Sequence, residues 1–96
     1  MSASVLIYLT EWCPYCQRAK ALLTRKKTAF TEIDVDDRPD LRSWLVSASG
    51  QRTVPQIFIN GQPVGGSSEL DALDRQGKLD RLLAEPPAKD SLVLPV

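Results

Sequence analysis

The two cysteines of the chain stand three residues apart, in Cys13-Pro14-Tyr15-Cys16. Thiols at that spacing can exchange with a disulfide, supply half of a metal site, or sit unreactive in a core. The residues on either side decide between these. Val5-Leu6-Ile7-Tyr8-Leu9 is a short, continuous apolar run, the pattern of a central strand covered on both faces. Pro14 suits the first position of a helix, where its missing N–H is no loss. Cys13 is then the N-cap, and its sulfur faces the N–H groups that a first turn leaves unpaired. Those donors and the positive end of the helix dipole favour thiolate over thiol, and the thiolate is the nucleophile. Cys16 shares an inward stripe with Ala19 and Leu23, so apolar surroundings keep it a thiol until a mixed disulfide forms beside it. With a strand before and a helix after, the pair reads as redox-active: Cys13 attacks a target disulfide and Cys16 displaces the product.

Composition narrows the chemistry further. There is no His, which removes Ser-His and Cys-His catalytic pairs. A closed zinc site takes four Cys or His ligands, and the chain offers two, so no metal is expected. Lys and Arg number 12, as do Asp and Glu; without a basic excess, neither nucleic acid nor anionic membrane is an expected partner. The run over residues 5–9 is too short for a signal-peptide core or a membrane span. The expected compartment is the cytoplasm, where reducing conditions keep thiols open. Ninety-six residues, 43% of them hydrophobic, suit one domain, expected over residues 1–84 and as a monomer. Glu85-Pro86-Pro87 opens an expected tail over 85–96 without folded structure; its apolar end, Leu92 to Val96, reads as a frayed terminus or a docking peptide.

The remaining elements follow from periodicity. A helix is predicted from Pro14 to about Lys26, and Phe30 to Val35 alternates like a half-covered strand. Pro39 starts a helix in which Leu41, Trp44, Leu45 and Ala48 recur on one face, and Gly50 ends it. Gln56 to Ile59 and Pro63-Val64 flank Asn60-Gly61, a strong hairpin signal. After Gly65-Gly66, Ser67 or Ser68 caps a helix carrying Leu70 and Leu73, with Ser68 and Asp71 at capping-box spacing. Gly77 stops it, and residues 78–84 form a last short helix. The order gives an α/β fold: a four-stranded mixed sheet with helices on both faces, its first two strands parallel.

This layout resembles the thioredoxin-like fold. Cys13-Pro14-Tyr15-Cys16, Thr53-Val54-Pro55 and Gly65-Gly66-Ser67, in this order and spacing, resemble the dithiol glutaredoxins from about Val5 to Leu83. The resemblance implies a glutathione-dependent oxidoreductase of protein disulfides and glutathione mixed disulfides, with glutathione as reducing co-substrate, Cys13 as nucleophile and Cys16 as resolving thiol. It implies that Pro14 and Pro55 shape the site, with Pro55 cis so that the Val54 backbone can pair with an extended substrate. It places Tyr15 against the bound peptide, Thr53 and Val54 alongside, and Gln51 or Arg52 at the glycyl carboxylate. Gly66, Ser67 and Ser68 would receive the γ-glutamyl carboxylate at a helix N-terminus.

Two departures predict weaker glutathione binding without loss of the reaction: Thr10 stands where many glutaredoxins carry Lys, and Ser68 where many carry Asp. Trp12 stands where a smaller residue is usual, and reads as a shield for Cys13, an apolar contact for protein substrates, or a plain surface aromatic. A rival reading keeps the chemistry and changes the donor, as in glutaredoxin-like reductants of ribonucleotide reductase recharged by thioredoxin reductase. Another is a dimer holding a two-iron, two-sulfur cluster (2Fe-2S) between the first Cys of each subunit and glutathione. Pro14 disfavours it, because cluster carriers usually have Gly or Ser there.

Overall fold

The computed structural model describes residues 3–86 and Leu94. Its elements are β1 (Val5–Leu9), α1 (Pro14–Arg25), β2 (Thr31–Asp34), α2 (Pro39–Ser49), β3 (Gln56–Ile59), β4 (Gln62–Gly65), α3 (Ser67–Arg75) and α4 (Leu79–Ala84). The strands form one sheet in the order β2-β1-β3-β4. β1 runs parallel to β2 and antiparallel to β3, which pairs antiparallel with β4. This is the four-stranded mixed sheet that the element order implies.

The apolar run of β1 is needed because both faces of the strand are covered. Successive side chains point to opposite faces. Val5, Ile7 and Leu9 join a core with Cys16, Leu23, Leu70 and Leu79, from α1, α3 and α4. Tyr8 points the other way, into a second core with Ile33, Leu41, Leu45 and Phe58, which α2 covers. The rings of Tyr8, Trp44 and Phe58 meet there with centroids 5.4–5.5 Å apart in each pair.

Asn60 and Gly61 have φ of 52° and 81°, the two positive values that a type I′ hairpin turn demands. Asn60 also clasps both ends of the domain: its Oδ1 accepts from the Ser4 N–H at 2.8 Å, and its Nδ2 donates to the Glu85 carbonyl at 3.0 Å. Gly50 closes α2 in the left-handed region at φ 76°, the usual end for a helix. The Nζ of Lys26 reaches Asp74 at 2.6 Å and Asp80 at 3.0 Å, tying the end of α1 to α3 and α4.

Two expectations need correction. The second strand is shorter than its alternating pattern: Val35 leaves the ladder, yet stays buried and donates its N–H to the Leu9 carbonyl at 2.9 Å. Neither Ser67 nor Ser68 caps α3. Gly66 is the N-cap, and Glu69, three residues on, accepts the Gly66 N–H on its Oε1 at 2.8 Å. The serines lie one step too late because the chain leaves β4 through Gly65 at φ 117° and is extended already at Gly66. Of the expected tail, Leu94 packs against the second core, while residues 87–93 and 95–96 lie outside the described residues. Among the described residues no helix is long and apolar enough to cross a membrane.

The second core rests on Phe58, which is 2% exposed. Phe58→Ala should cost about 3–5 kcal/mol through lost burial and the cavity it leaves. Urea unfolding of the reduced protein would read this as a lower midpoint at unchanged slope.

Candidate active site

The site begins where β1 hands the chain to α1. Cys13 is the N-cap, with extended backbone at φ −126° and ψ 108°, and the Cys16 N–H donates to its sulfur at 3.2 Å. The Cys13 thiol in turn lies 3.7 Å from the Val54 carbonyl, to which it donates. One sulfur is thus held between a helix N-terminus and the backbone that precedes β3. Cys13 is partly exposed, whereas Cys16 is buried beneath it in the first core. Burial pushes the Cys16 thiol up to about 12, with a further upward push from its hydrogen bond with Cys13. A backbone hydrogen bond at Thr10 and the charge of Lys20 act in the opposite direction. The two thiols are chemically unequal: one open to a target, the other kept protonated one turn below.

Val54-Pro55 is a cis peptide, as the resemblance implied. The loop before it is held by Gln56, a residue that sequence reasoning left unremarked. Its side chain is buried, and Nε2 donates to the carbonyls of Gln51 and Thr53, each at 2.9 Å. The available signal was one amide at the head of an otherwise apolar strand, Gln56-Ile57-Phe58-Ile59, all four of whose residues are buried. A buried amide needs partners, and the preceding loop supplies two.

The N-terminus of α3 completes the site. A Cβ at Gly66 would stand 3.2 Å from the Pro55 carbonyl, so glycine lets the start of α3 lie close against this loop. Tyr15, Thr53, Val54 and Pro55 on one side, and Gly66 to Glu69 on the other, enclose a groove of about 280 Å³. Six of the eight residues expected at glutathione therefore meet here: Tyr15, Thr53, Val54, Gly66, Ser67 and Ser68. Gln51 and Arg52 do not line it. Gln51 is exposed, and Arg52 belongs to a separate depression with Arg42, Ser43 and Val46.

No Lys or Arg lines the groove among the described residues. Its means of holding an anion are the N–H groups of Ser67 and Ser68, which the first turn of α3 leaves without intrahelical partners. Thr10 faces a different depression, with Gln17, Lys20 and Glu32. Tyr15 is 58% exposed beside Cys13, and Trp12 is 89% exposed, clear of the cores. Among the described residues no group of three or more His, Cys, Asp or Glu is placed to hold a metal ion. What the arrangement can do is exchange thiols for disulfides, by attack from an accessible sulfur whose buried neighbour is close enough to follow.

Comparison with known proteins agrees. The glutaredoxin family model matches residues 5–64. A glutaredoxin of Pseudomonas aeruginosa is 55% identical over 80 residues, covering 83% of this chain and 95% of its own. Glutaredoxin 3 of Escherichia coli K12 is 51% identical over 81 residues, covering 84% and 98%. Among solved structures, a buckwheat glutaredoxin–glutathione complex superposes with a TM-score of 0.80 at 31% identity, covering 84% of this chain and 76% of its own. The glutaredoxin of Brucella melitensis gives 0.77 at 51% identity, covering 85% and 89%. With half of its residues shared over nearly the full length of such relatives, the chain belongs to the glutaredoxin family, and its chemistry is thiol–disulfide oxidoreduction.

Proposed function

We propose that this glutaredoxin uses glutathione to reduce protein disulfides and glutathione mixed disulfides. The observation that carries the reading is the groove itself, which joins Tyr15 and Val54 to the first turn of α3 at Ser67 and Ser68. A tripeptide with carboxylates at both ends fits such a place: its main chain pairs with Val54 and its γ-glutamyl carboxylate takes the amides of α3. The structural neighbour from buckwheat is a glutathione complex, which supports the same occupant here. Gln51 and Arg52, just before Thr53 in the chain, are assigned to the glycyl end from outside the groove.

The proposed cycle has two branches. With a glutathionylated protein, the Cys13 thiolate attacks the glutathionyl sulfur; a Cys13–glutathione disulfide forms and the substrate leaves as a thiolate, which takes up a proton. A second glutathione thiolate then attacks the glutathionyl sulfur, releasing oxidised glutathione and restoring Cys13. With a protein disulfide, Cys13 forms a mixed disulfide with one substrate sulfur and frees the other. The Cys16 thiolate attacks Cys13, displacing the remaining substrate sulfur, and two glutathione molecules reduce the resulting Cys13–Cys16 disulfide. Recharging of this kind needs a compartment that keeps glutathione reduced, the cytoplasmic setting expected from the sequence.

The resolving step has a built-in order. While Cys13 is reduced, its hydrogen bond with Cys16 and its charge when ionised join burial among the causes that hold Cys16 protonated. Once Cys13 is in a mixed disulfide, its sulfur carries neither proton nor charge, and those two causes disappear. Burial remains, so Cys16 still ionises late, but more readily than before attack.

Cys13→Ser should reduce turnover of every disulfide to the uncatalysed background. Cys16→Ser should abolish reduction of a protein disulfide, yet leave deglutathionylation within about threefold of the parent, since that branch needs a single thiol. Coupled assays with glutathione reductase on both substrates separate these outcomes, and loss of both in Cys16→Ser would contradict the assigned roles. Resolution should also quicken with pH. Because Cys16 must lose its proton to attack, glutathione release from a preformed Cys13–glutathione disulfide, measured by stopped flow without added thiol, should rise about tenfold per unit between pH 6 and 8. A flat profile would mean that Cys16 is already ionised in the mixed disulfide.

A further inference from the structure

Beside the groove lies a larger cleft of about 440 Å³, between α1 and the start of α3. Arg18, Leu22 and Arg25 line one wall, and Ser67, Ser68 and Asp71 the other. The cleft and the groove share Ser67 and Ser68, so the two spaces adjoin at that pair. Arg18 makes a second link, because its guanidinium lies 5.9 Å from the centroid of the Tyr15 ring, which itself borders the groove. We infer that this cleft receives acidic side chains of the substrate protein, Asp or Glu close in sequence to the cysteine under attack.

Charge carries the argument. Neither Arg18 nor Arg25 has an ion-pair partner among the described residues, although Lys26 just after α1 and Arg75 on α3 are both paired. Asp71, the carboxylate within the cleft, lies 3.8 Å from Arg75 and so is partly offset by a cation outside the lining. Two guanidinium groups are left facing a space with an aliphatic wall at Leu22. A guanidinium matches a carboxylate in bidentate geometry, and the apolar wall suits the methylene groups of Asp or Glu. Position supplies the occupant. The glutathionyl half of a mixed disulfide fills the groove under the proposed reaction, on which this inference rests, so the polypeptide half must leave Cys13 across a neighbouring surface. The cleft offers an exit at which acidic residues would find unpaired cations.

The test compares two glutathionylated peptides, identical except that Glu residues flank the cysteine in one and Gln residues in the other. At low ionic strength the acidic peptide should have a kcat/KM about fivefold higher, the scale expected of two exposed charge contacts. The advantage should shrink toward unity in 0.5 M salt, where charges are screened beyond a few ångströms. Arg25 has no part in the proposed chemistry. Arg25→Glu should therefore leave the Gln peptide and a small glutathione mixed disulfide unchanged while reversing the preference between the two peptides. Equal rates for the two peptides in the parent protein would overturn the inference, as would an unaltered preference in Arg25→Glu. If even the small glutathione mixed disulfide is not turned over, the proposed glutathione reaction fails instead.

Discussion

The site depends on one hydrogen bond, from the N–H of Cys16 to the sulfur of Cys13 at 3.2 Å. It forms because a cysteine occupies the position where a helix usually has Ser, Thr, Asp or Asn, so a thiol sulfur does the work of a cap. Pro14 makes that possible: it supplies a residue already shaped for the first helical position and removes an N–H that would otherwise compete for the same acceptor. The donors are main-chain groups, fixed in place for as long as α1 is. With no His in the chain, orientation and electrostatics at this sulfur come from the fold itself.

That dependence explains the packing around the site. The start of α1 is fixed by the first core, through Cys16, Ala19, Leu22 and Leu23 against β1. The Val54 carbonyl, which accepts from Cys13, belongs to a residue that packs against both cores. Gln56 then holds the preceding loop through two carbonyls, so the backbone beside the cis peptide is set by side-chain hydrogen bonds as well as by burial. Since interiors are packed close to crystal density, small volume changes in either core can reach the sulfur through Val54.

Most of this architecture was legible from residue types, and the exceptions share a cause. The apolar run of β1, the period of α2, Asn60-Gly61 and the Pro14 helix start are local signals, each interpretable within a few residues, and each lies where expected. Gln56 was not legible, because its role depends on carbonyls brought back to it by a bend and not on any pattern of its own. The cap of α3 was misplaced by one residue for a related reason. Ser68 with Asp71 and Gly66 with Glu69 are both spaced for capping, and only the left-handed exit from β4 at Gly65 selects the second pair. Gln51 and Arg52 were placed at the glycyl carboxylate by the resemblance, whereas neither lines the groove and Arg52 borders a different depression.

The inequality between the two thiols is then more than a difference in exposure. Under the proposed cycle, a second cysteine that ionised freely would compete with Cys13 for substrate. Burial alone would prevent this, but it would also slow the step in which Cys16 has to act. Burial is joined by a second, smaller cause: part of what holds Cys16 protonated comes from its reduced neighbour Cys13, and under the proposed cycle a bond from Cys13 to its target would remove that part. The mixed disulfide of that cycle would thus ease the ionisation that its own resolution requires. A single turn of helix, with one sulfur at its cap and the other in its first buried position, is enough to set an accessible thiol beside a protected one.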